Sequence, residues 1–291
     1  MQLKDLKRVQ LIYVGTIDHR RFIDGIFPDD LMTCGSLLLT TMTDADVQPF
    51  APGALVVDYK GFSPSGVVDL IEYWGAEWGL VYAFARARTG VATTELVELV
   101  GLTDAFAERH VKVVAVCSDS MDSVIKFTQE IKQSFDGARV AFPIIADADG
   151  DFATAYGLSA PGADGFLSEA HHILVVSPDH RVQLSLSYPR ACGFNFKEVL
   201  RSIDALRVSF YCSGAMTSAN WAPGEDVFVP VEMSDEEAVK AFSKGFKAVV
   251  PYLRLTPQPD MRDGTEEDEE DEEQLTRIAT AASGVRPGTG K

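Results

Sequence analysis

The 291-residue sequence lacks the long apolar runs, paired cysteines and basic excess that mark several protein classes. No stretch reaches the roughly 18 uninterrupted apolar residues that a membrane-spanning helix needs. The four cysteines lie far apart and form no C-x-x-C pair, so neither a zinc cluster nor a dense disulfide framework is expected. They are Cys34, Cys117, Cys192 and Cys212. The sequence therefore predicts no metal and no cofactor.

Basic side chains are few, with 26 Lys and Arg against 43 Asp and Glu, and the formal net charge is −17. A negative surface repels nucleic acid and anionic membranes, so neither is expected as a main partner. The 46% hydrophobic content is ordinary for a globular protein and excludes wholesale disorder.

The two ends of the chain differ from the middle. Eight consecutive acids from Glu266 to Glu273 carry nearly half of the net charge. Because like charges repel and the run offers nothing apolar to bury, residues 260–291 are predicted to form a disordered acidic tail. Such a tail either solubilises the protein or docks a basic partner. Residues 1–43 are mildly basic but interrupted by acids, which weakens a targeting role, and we treat them as an N-terminal extension.

The middle of the chain alternates strand and helix patterns. Apolar runs rich in β-formers predict strands at 78–84, 111–117, 172–176 and 182–187. Helical spacing of apolar residues predicts helices within 93–110, at 122–135 and after an Asn195 cap. This order predicts an α/β, thioredoxin-like fold, with a mixed central sheet and helices on both faces.

A short strand at 227–231 and a helix at 235–242 then predict a small C-terminal domain. The predicted domain organisation has four parts: an N-terminal extension at 1–43, a thioredoxin-like domain at 44–206, a C-terminal domain at 207–259 and the tail at 260–291.

Several separated motifs resemble those of the one-Cys peroxiredoxins with a long C-terminal domain. In chain order they are TTEL at 93–96, VKV at 111–113 with SDS at 118–120, FPII at 142–145, YP at 188–189 with the GxNF of 193–196, and YLRLTPQP at 252–259. The resemblance covers about residues 44–259. It implies the peroxiredoxin fold, the C-terminal domain and a tendency to dimerise.

The catalytic positions depart from that family. Its peroxidase motif, P-x-x-x-T-x-x-C, has a cysteine in the first turn of a helix, where the helix dipole and a nearby Arg lower the thiol pKa. Here Thr89 remains, but Ala85 stands at the Pro position and Ala92 at the cysteine position. Phe84 stands where the subgroup has His, and Phe194 stands where the family has a second Arg.

A methyl group cannot be deprotonated, attack an O–O bond or form a sulfenic acid. An engineered Cys-to-Ala exchange at position 92 would explain that position alone. Four departures in one pocket favour natural loss of function. The pocket of Ala85, Thr89, Ala92 and Phe194 is thus predicted to be vestigial.

One thiol is the best candidate to replace the nucleophile that is absent at position 92. Cys192 lies two residues before Phe194, so the family geometry would bring its thiol near the emptied pocket, where Arg86 and Arg190 would lower its pKa. A partly buried thiol without a role is the plainer interpretation. Some family members resemble lipases and carry a Gly-Asp-Ser-Trp-Gly segment. At the corresponding positions this chain has Glu77 instead of the serine.

The adjacent pair His171-His172 lies on a predicted strand, so the two rings point to opposite faces and do not share one metal ion.

The favoured hypothesis is a catalytically inactive peroxiredoxin-like protein that serves as an interaction or structural module. The alternative is a thiol peroxidase, either divergent through Cys192 or an engineered variant at Ala92. The expected assembly is a homodimer or a component of a larger complex. The absence of paired cysteines and of a clear signal favours the cytoplasm, with a mitochondrion or another organelle as the alternative.

Overall fold

The computed structural model describes residues 9–11, 39–41, 50–135, 138–158 and 170–261. Residue contacts divide the chain into two compact units, Met1–Phe194 and Asn195–Lys291. The helix that begins at Phe196 therefore groups with the C-terminal residues, whereas the sequence pattern placed it in a domain that ends at residue 206. The four predicted domains remain predictions.

The first unit contains nine of the strands and five of the helices in the described part of the chain. Its strands are β1 (Val9–Leu11), β2 (Leu39–Thr41), β3 (Lys60–Ser63), β4 (Gly66–Asp69), β5 (Trp78–Phe84), β6 (Val111–Cys117), β7 (Ile144–Ala146), β8 (Ala170–Val176) and β9 (Val182–Pro189). Its helices are α1 (Leu70–Trp74), α2 (Gly90–Gly101), α3 (Thr103–Ala107), α4 (Met121–Ser134) and α5 (Asp151–Ala155).

The central sheet has five strands in the order β7-β6-β5-β8-β9. β5, β6 and β7 run parallel, while β8 and β9 are antiparallel to their neighbours, so the sheet is mixed as the sequence predicted. Every residue of β5 is buried, which explains its uninterrupted apolar sequence. Two separate hairpins, β1–β2 and β3–β4, precede the sheet in the chain.

Helices cover both faces of this sheet. One face packs Val81 and Val114 against Trp74 of α1 and Phe152 of α5. Gly79 permits this packing, because a Cβ there would lie 2.6 Å from the Trp74 ring. On the opposite face Tyr82 contacts α2 and Phe84 contacts α4. The predicted thioredoxin-like α/β fold is confirmed.

The helical spacing predicted across 93–110 is divided into two helices. α2 ends at Gly101 and α3 begins at Thr103, with Leu102 outside helical geometry. Glycine lowers helix stability at this point, and the Thr103 hydroxyl donates to the Val100 carbonyl. The periodic apolar pattern continues through the break, because both helices bury apolar residues.

The second unit contains α6 (Phe196–Tyr211), β10 (Val227–Phe228), α7 (Asp235–Ala241), β11 (Lys247–Val250) and β12 (Leu253–Thr256). Its strands form a small antiparallel sheet in the order β10-β12-β11, and Trp221 lies fully buried in its core. Arg254 donates to Asp235 at 2.7 Å and to the carbonyl oxygens of Pro230 and Met233. The predicted strand at 227–231 is shorter than expected.

Some predictions fall outside the described residues. They concern Cys34, the acidic tail beyond residue 261 and most of the extension at 1–43. Within the part of the chain that the structure describes, no helix is long and apolar enough to cross a membrane.

Candidate functional site

The loop that joins β5 to α2 is held by polar contacts to α4 and the residues before it. The Ala87 backbone N–H donates to the Asp119 carboxylate at 2.8 Å. Arg88 has a positive φ of 60° and makes a two-pronged ion pair with Glu130, at 2.8 and 2.6 Å. The exposed pair adds little stability by itself, but the two anchors together define the path of the loop.

Thr89 caps the N-terminus of α2. Its hydroxyl accepts a hydrogen bond from the Ala92 backbone N–H at 3.2 Å, and its carbonyl accepts from the Thr93 hydroxyl at 2.7 Å. Ala92 is fully buried in the first turn of this 12-residue helix. The positive end of the helix dipole therefore lies beside the Ala92 methyl group.

Phe84, the last residue of β5, and Ala85, which follows it, both pack against apolar core residues. Phe84 is fully buried, stacks on Tyr82 with ring centroids 4.9 Å apart and contacts the Phe127 ring of α4. Ala85 is half-buried and packs against the apolar core of the other sheet face. Neither side chain offers a polar atom to a substrate.

A buried carboxylate lies one helical turn beyond Ala92. Glu95 is only 3% exposed, yet three hydrogen bonds reach it. Its Oε2 accepts from the Tyr82 hydroxyl at 2.6 Å and lies 2.5 Å from His171 Nδ1. Its Oε1 accepts from the Phe194 backbone N–H at 2.9 Å. Three groups from separate parts of the chain thus converge on one side chain.

The side chains of Tyr82, Glu95 and His171 are all buried from water. Burial raises the pKa of Tyr82 well above its usual value of 10, and the charge and hydrogen bond of Glu95 raise it further. Tyr82 therefore remains a neutral donor at physiological pH. The sequence interpretation did not identify Glu95 as part of a polar cluster. The available signal was a glutamate beside buried Leu96 on the apolar side of α2.

The turn that follows β9 lies against α2. A Cβ on Gly193 would stand 3.7 Å from both Val91 Cγ1 and Glu95 Oε1. Phe194 is half-buried and packs on Tyr188 with ring centroids 4.6 Å apart. Thr89 caps α2, Ala92 lies in its first turn, and Phe194 is linked to the same helix through Glu95. Ala85 packs against the core of the other sheet face, and the grouping of all four residues in one pocket stays a prediction.

The three described cysteines have different surroundings. Cys117 is fully buried at the end of β6, and burial raises its pKa to about 12. Cys212 is buried in the second unit, whereas Cys192 is exposed on the turn after β9. Arg86 is exposed on the β5–α2 loop.

The neighbouring histidines have separate partners, as strand alternation predicted. His171 contacts Glu95, and His172 Nδ1 lies 2.8 Å from the Ser187 hydroxyl. Burial, with a smaller contribution from His171, lowers the pKa of His172 to about 4. Glu77 pairs with Lys112 at 2.9 Å. The described residues contain no group of three or more His, Cys, Asp or Glu side chains arranged to hold a metal.

Comparisons with known proteins identify the relatives of this arrangement. Residues 53–185 match the model of the AhpC/TSA family. The chain is 33% identical over 207 residues to a 1-Cys peroxiredoxin of Dictyostelium discoideum, covering 71% of this chain and 85% of that protein. It is 34% identical over 225 residues to peroxiredoxin-6 of Gallus gallus, covering 72% of this chain and all of that protein.

A solved peroxiredoxin structure is also similar to this chain. The structure of a yeast mitochondrial 1-Cys peroxiredoxin aligns with a TM-score of 0.66 and 31% identity, covering 71% of this chain and 99% of that one.

Proposed function

The chain belongs to the peroxiredoxin family, and from that premise we propose that it is a non-catalytic member that serves as an interaction or structural module. The observation that carries the proposal is Ala92, a fully buried methyl group at the helix N-terminus where the family motif has its cysteine. Peroxide reduction requires a thiolate that attacks the O–O bond and becomes a sulfenic acid. Alanine has no atom that can perform this step.

The remaining polar groups of the pocket support the same proposal. The Tyr82 hydroxyl, His171 Nδ1 and the Phe194 backbone N–H all contact Glu95. Groups that already bond to a protein carboxylate are not available to orient a peroxide without breaking those bonds. A non-catalytic protein can retain the surfaces of its fold, because a fold and the chemistry it carries are separable.

Hydrogen peroxide consumption tests the proposal. The purified protein is assayed with dithiothreitol beside a sample alkylated with N-ethylmaleimide and beside a Cys192→Ser variant. We expect the three rates to agree. A clearly faster rate for the unmodified protein would contradict the proposal, and the Cys192→Ser result would then say whether that thiol is responsible.

A second candidate function is a divergent thiol peroxidase that uses Cys192. Its specific support is the Phe194 backbone N–H, which donates to Glu95 of α2 and holds the residue two positions after Cys192 beside that helix. In that reaction the Cys192 thiolate would attack the hydroperoxide, form a sulfenic acid and release the alcohol or water after protonation.

A sulfenate trap read by mass spectrometry tests this candidate. An adduct at Cys192 that increases with peroxide and is absent from Cys192→Ser supports it, and the lack of any adduct removes it.

The third candidate, an engineered exchange at position 92, is tested by Ala92→Cys. Full peroxidase activity of this variant would support it. We expect poor activity, because Ala85 and Phe194 still replace the Pro and Arg that shield the thiolate and orient the peroxide.

The proposed assembly is a homodimer or a component of a larger complex, and the proposed compartment is the cytoplasm. Within the described residues β9 forms one edge of the central sheet, and at its first residue the Val182 backbone is hydrogen-bonded to Gly53 and Ala54. Light scattering of the purified chain tests dimerisation. A pull-down with and without residues 260–291 tests whether the acidic tail docks a basic partner.

A further inference from the structure

Glu95 connects the interior of the first unit to an exposed turn. A glutamate with 3% exposure is unusual in a protein core, because its charge requires partners that replace water. The partners of Glu95 come from β5, β8 and the turn after β9. This arrangement joins elements that the chain itself separates by many residues.

The two oxygens of the Glu95 carboxylate have different hydrogen-bond partners. Both interior side chains, Tyr82 and His171, contact Oε2. Oε1 accepts from the Phe194 backbone N–H at 2.9 Å. Because Tyr82 and His171 lie on strands of the buried sheet, they fix the direction of the carboxylate and aim its other oxygen at the turn.

The turn itself is short and largely exposed. Its residues from Pro189 to Gly193 are all exposed, and inside it the Cys192 N–H donates to the Pro189 carbonyl at 2.8 Å. A Cβ added to Gly193 would lie at ordinary van der Waals distance from Val91 and Glu95. A charge-assisted hydrogen bond donated to a carboxylate is stronger than a neutral one, so the bond from the Phe194 N–H to Glu95 holds this segment strongly.

We propose that Glu95 is a positioning residue that fixes the Pro189–Phe194 turn, and with it the Cys192 thiol, against the first turns of α2. Tyr82 and His171 keep the carboxylate in the orientation that this task requires. The turn therefore has one defined conformation in the native protein. The role of Glu95 does not depend on whether Cys192 reacts with peroxide. If the protein is an interaction module, the Pro189–Phe194 turn is a preorganised element that it would present to a partner.

Amide hydrogen exchange measured by NMR tests the proposal at its central bond. Glu95→Leu removes both acceptor oxygens, and Glu95→Gln keeps one oxygen that can still accept from Phe194 N–H. Glu98→Leu changes an exposed glutamate of the same helix and is the matched control. The amide of Val114, on β6 in the core, reports global opening.

We expect Glu95→Leu to lower the protection of the Phe194 amide about tenfold or more, as the loss of a charged hydrogen bond implies. Val114 should lose much less protection, Glu95→Gln should retain most of the Phe194 protection, and Glu98→Leu should leave both amides unchanged. Equal losses at Phe194 and Val114 would overturn the proposal, since Glu95 would then serve only global stability. Unchanged Phe194 protection in a folded Glu95→Leu would also overturn it.

A nitroxide label on Cys192 provides a second measurement, in a Cys34→Ser background so that the buried thiols are the only others. Tyr82→Phe is used here in case Glu95→Leu does not fold, because it removes one donor to Oε2 and leaves Oε1 in place. We expect a more mobile spectrum for Tyr82→Phe and for any folded Glu95→Leu. Identical spectra for wild type and Tyr82→Phe would count against the proposal, and neither readout depends on peroxide chemistry.

Discussion

His172 should make the protein less stable in mild acid. Its side chain is 6% exposed on β8, and its Nε2 is buried without a partner among the described residues. Protonation would place a charge at this position, and no described carboxylate contacts the ring. Burial lowers the pKa of His172 to about 4, whereas the unfolded chain titrates near 6.5.

The sign and magnitude follow from these two values. Below pH 6.5 the unfolded chain binds a proton that the native protein does not bind until about pH 4. The free energy of unfolding therefore falls as the pH decreases through this window. Between pH 7 and pH 5 the loss from this single group is about 2 kcal/mol, with 1.36 kcal/mol for each pH unit fully inside the window.

Urea denaturation at pH 7, 6 and 5 measures this loss in wild type and in His172→Gln, which cannot titrate. The variant should lose about 2 kcal/mol less than wild type over this range. Ser187→Ala is the control, since it removes the hydroxyl beside His172 Nδ1 but keeps the imidazole, and it should retain the wild-type pH dependence. Equal pH dependence in wild type and His172→Gln would refute the reasoning.

Three further predictions concern the core and the site. Gly79→Ala should lower the free energy of unfolding by about 1–3 kcal/mol, because the new Cβ would lie 2.6 Å from the Trp74 ring; chemical denaturation measures it, and an unchanged midpoint would show that the ring moves freely. Thr89→Ala should cost about 1 kcal/mol, because the Ala92 N–H loses its cap; Thr89→Ser should restore it, and equal stability of all three proteins would contradict the role. Above pH 10 the unfolded chain loses the Tyr82 proton while the native protein keeps it, so stability should fall with rising pH. Alkaline denaturation of Tyr82→Phe should show a weaker fall, and an identical slope would exclude this contribution.

Local sequence patterns predicted the elements that depend on neighbouring residues. The strand at 78–84 is buried throughout and has an uninterrupted apolar sequence, and the strand at 111–117 is buried and apolar except at Lys112, so the apolar pattern identifies both. The side chain of Asn195 caps α6 by accepting from two backbone N–H groups, as its position predicted. The four-residue strands β3 and β4 were not predicted, because a short hairpin on the edge of the core carries little pattern.

The residues of the candidate site also differ in how far apart they lie in the sequence. Ala85, Thr89 and Ala92 lie within eight residues of one another, so a single motif was enough to select them as candidate site residues. Glu95 and His171 are 76 positions apart, and Glu95 and Phe194 are 99 apart. No local period relates such residues, and strand alternation could only separate His171 from His172.

The sequence by itself therefore determined four strands of the central sheet, the Asn195 cap and the alanine at position 92, because each depends on short-range spacing or on the identity of one residue. Only the tertiary structure decided that Glu95 is buried and that Tyr82, His171 and the Phe194 N–H surround it. The physical reason is that a carboxylate in a core requires donors, and those donors come from whichever strands and turns the sheet topology brings to it.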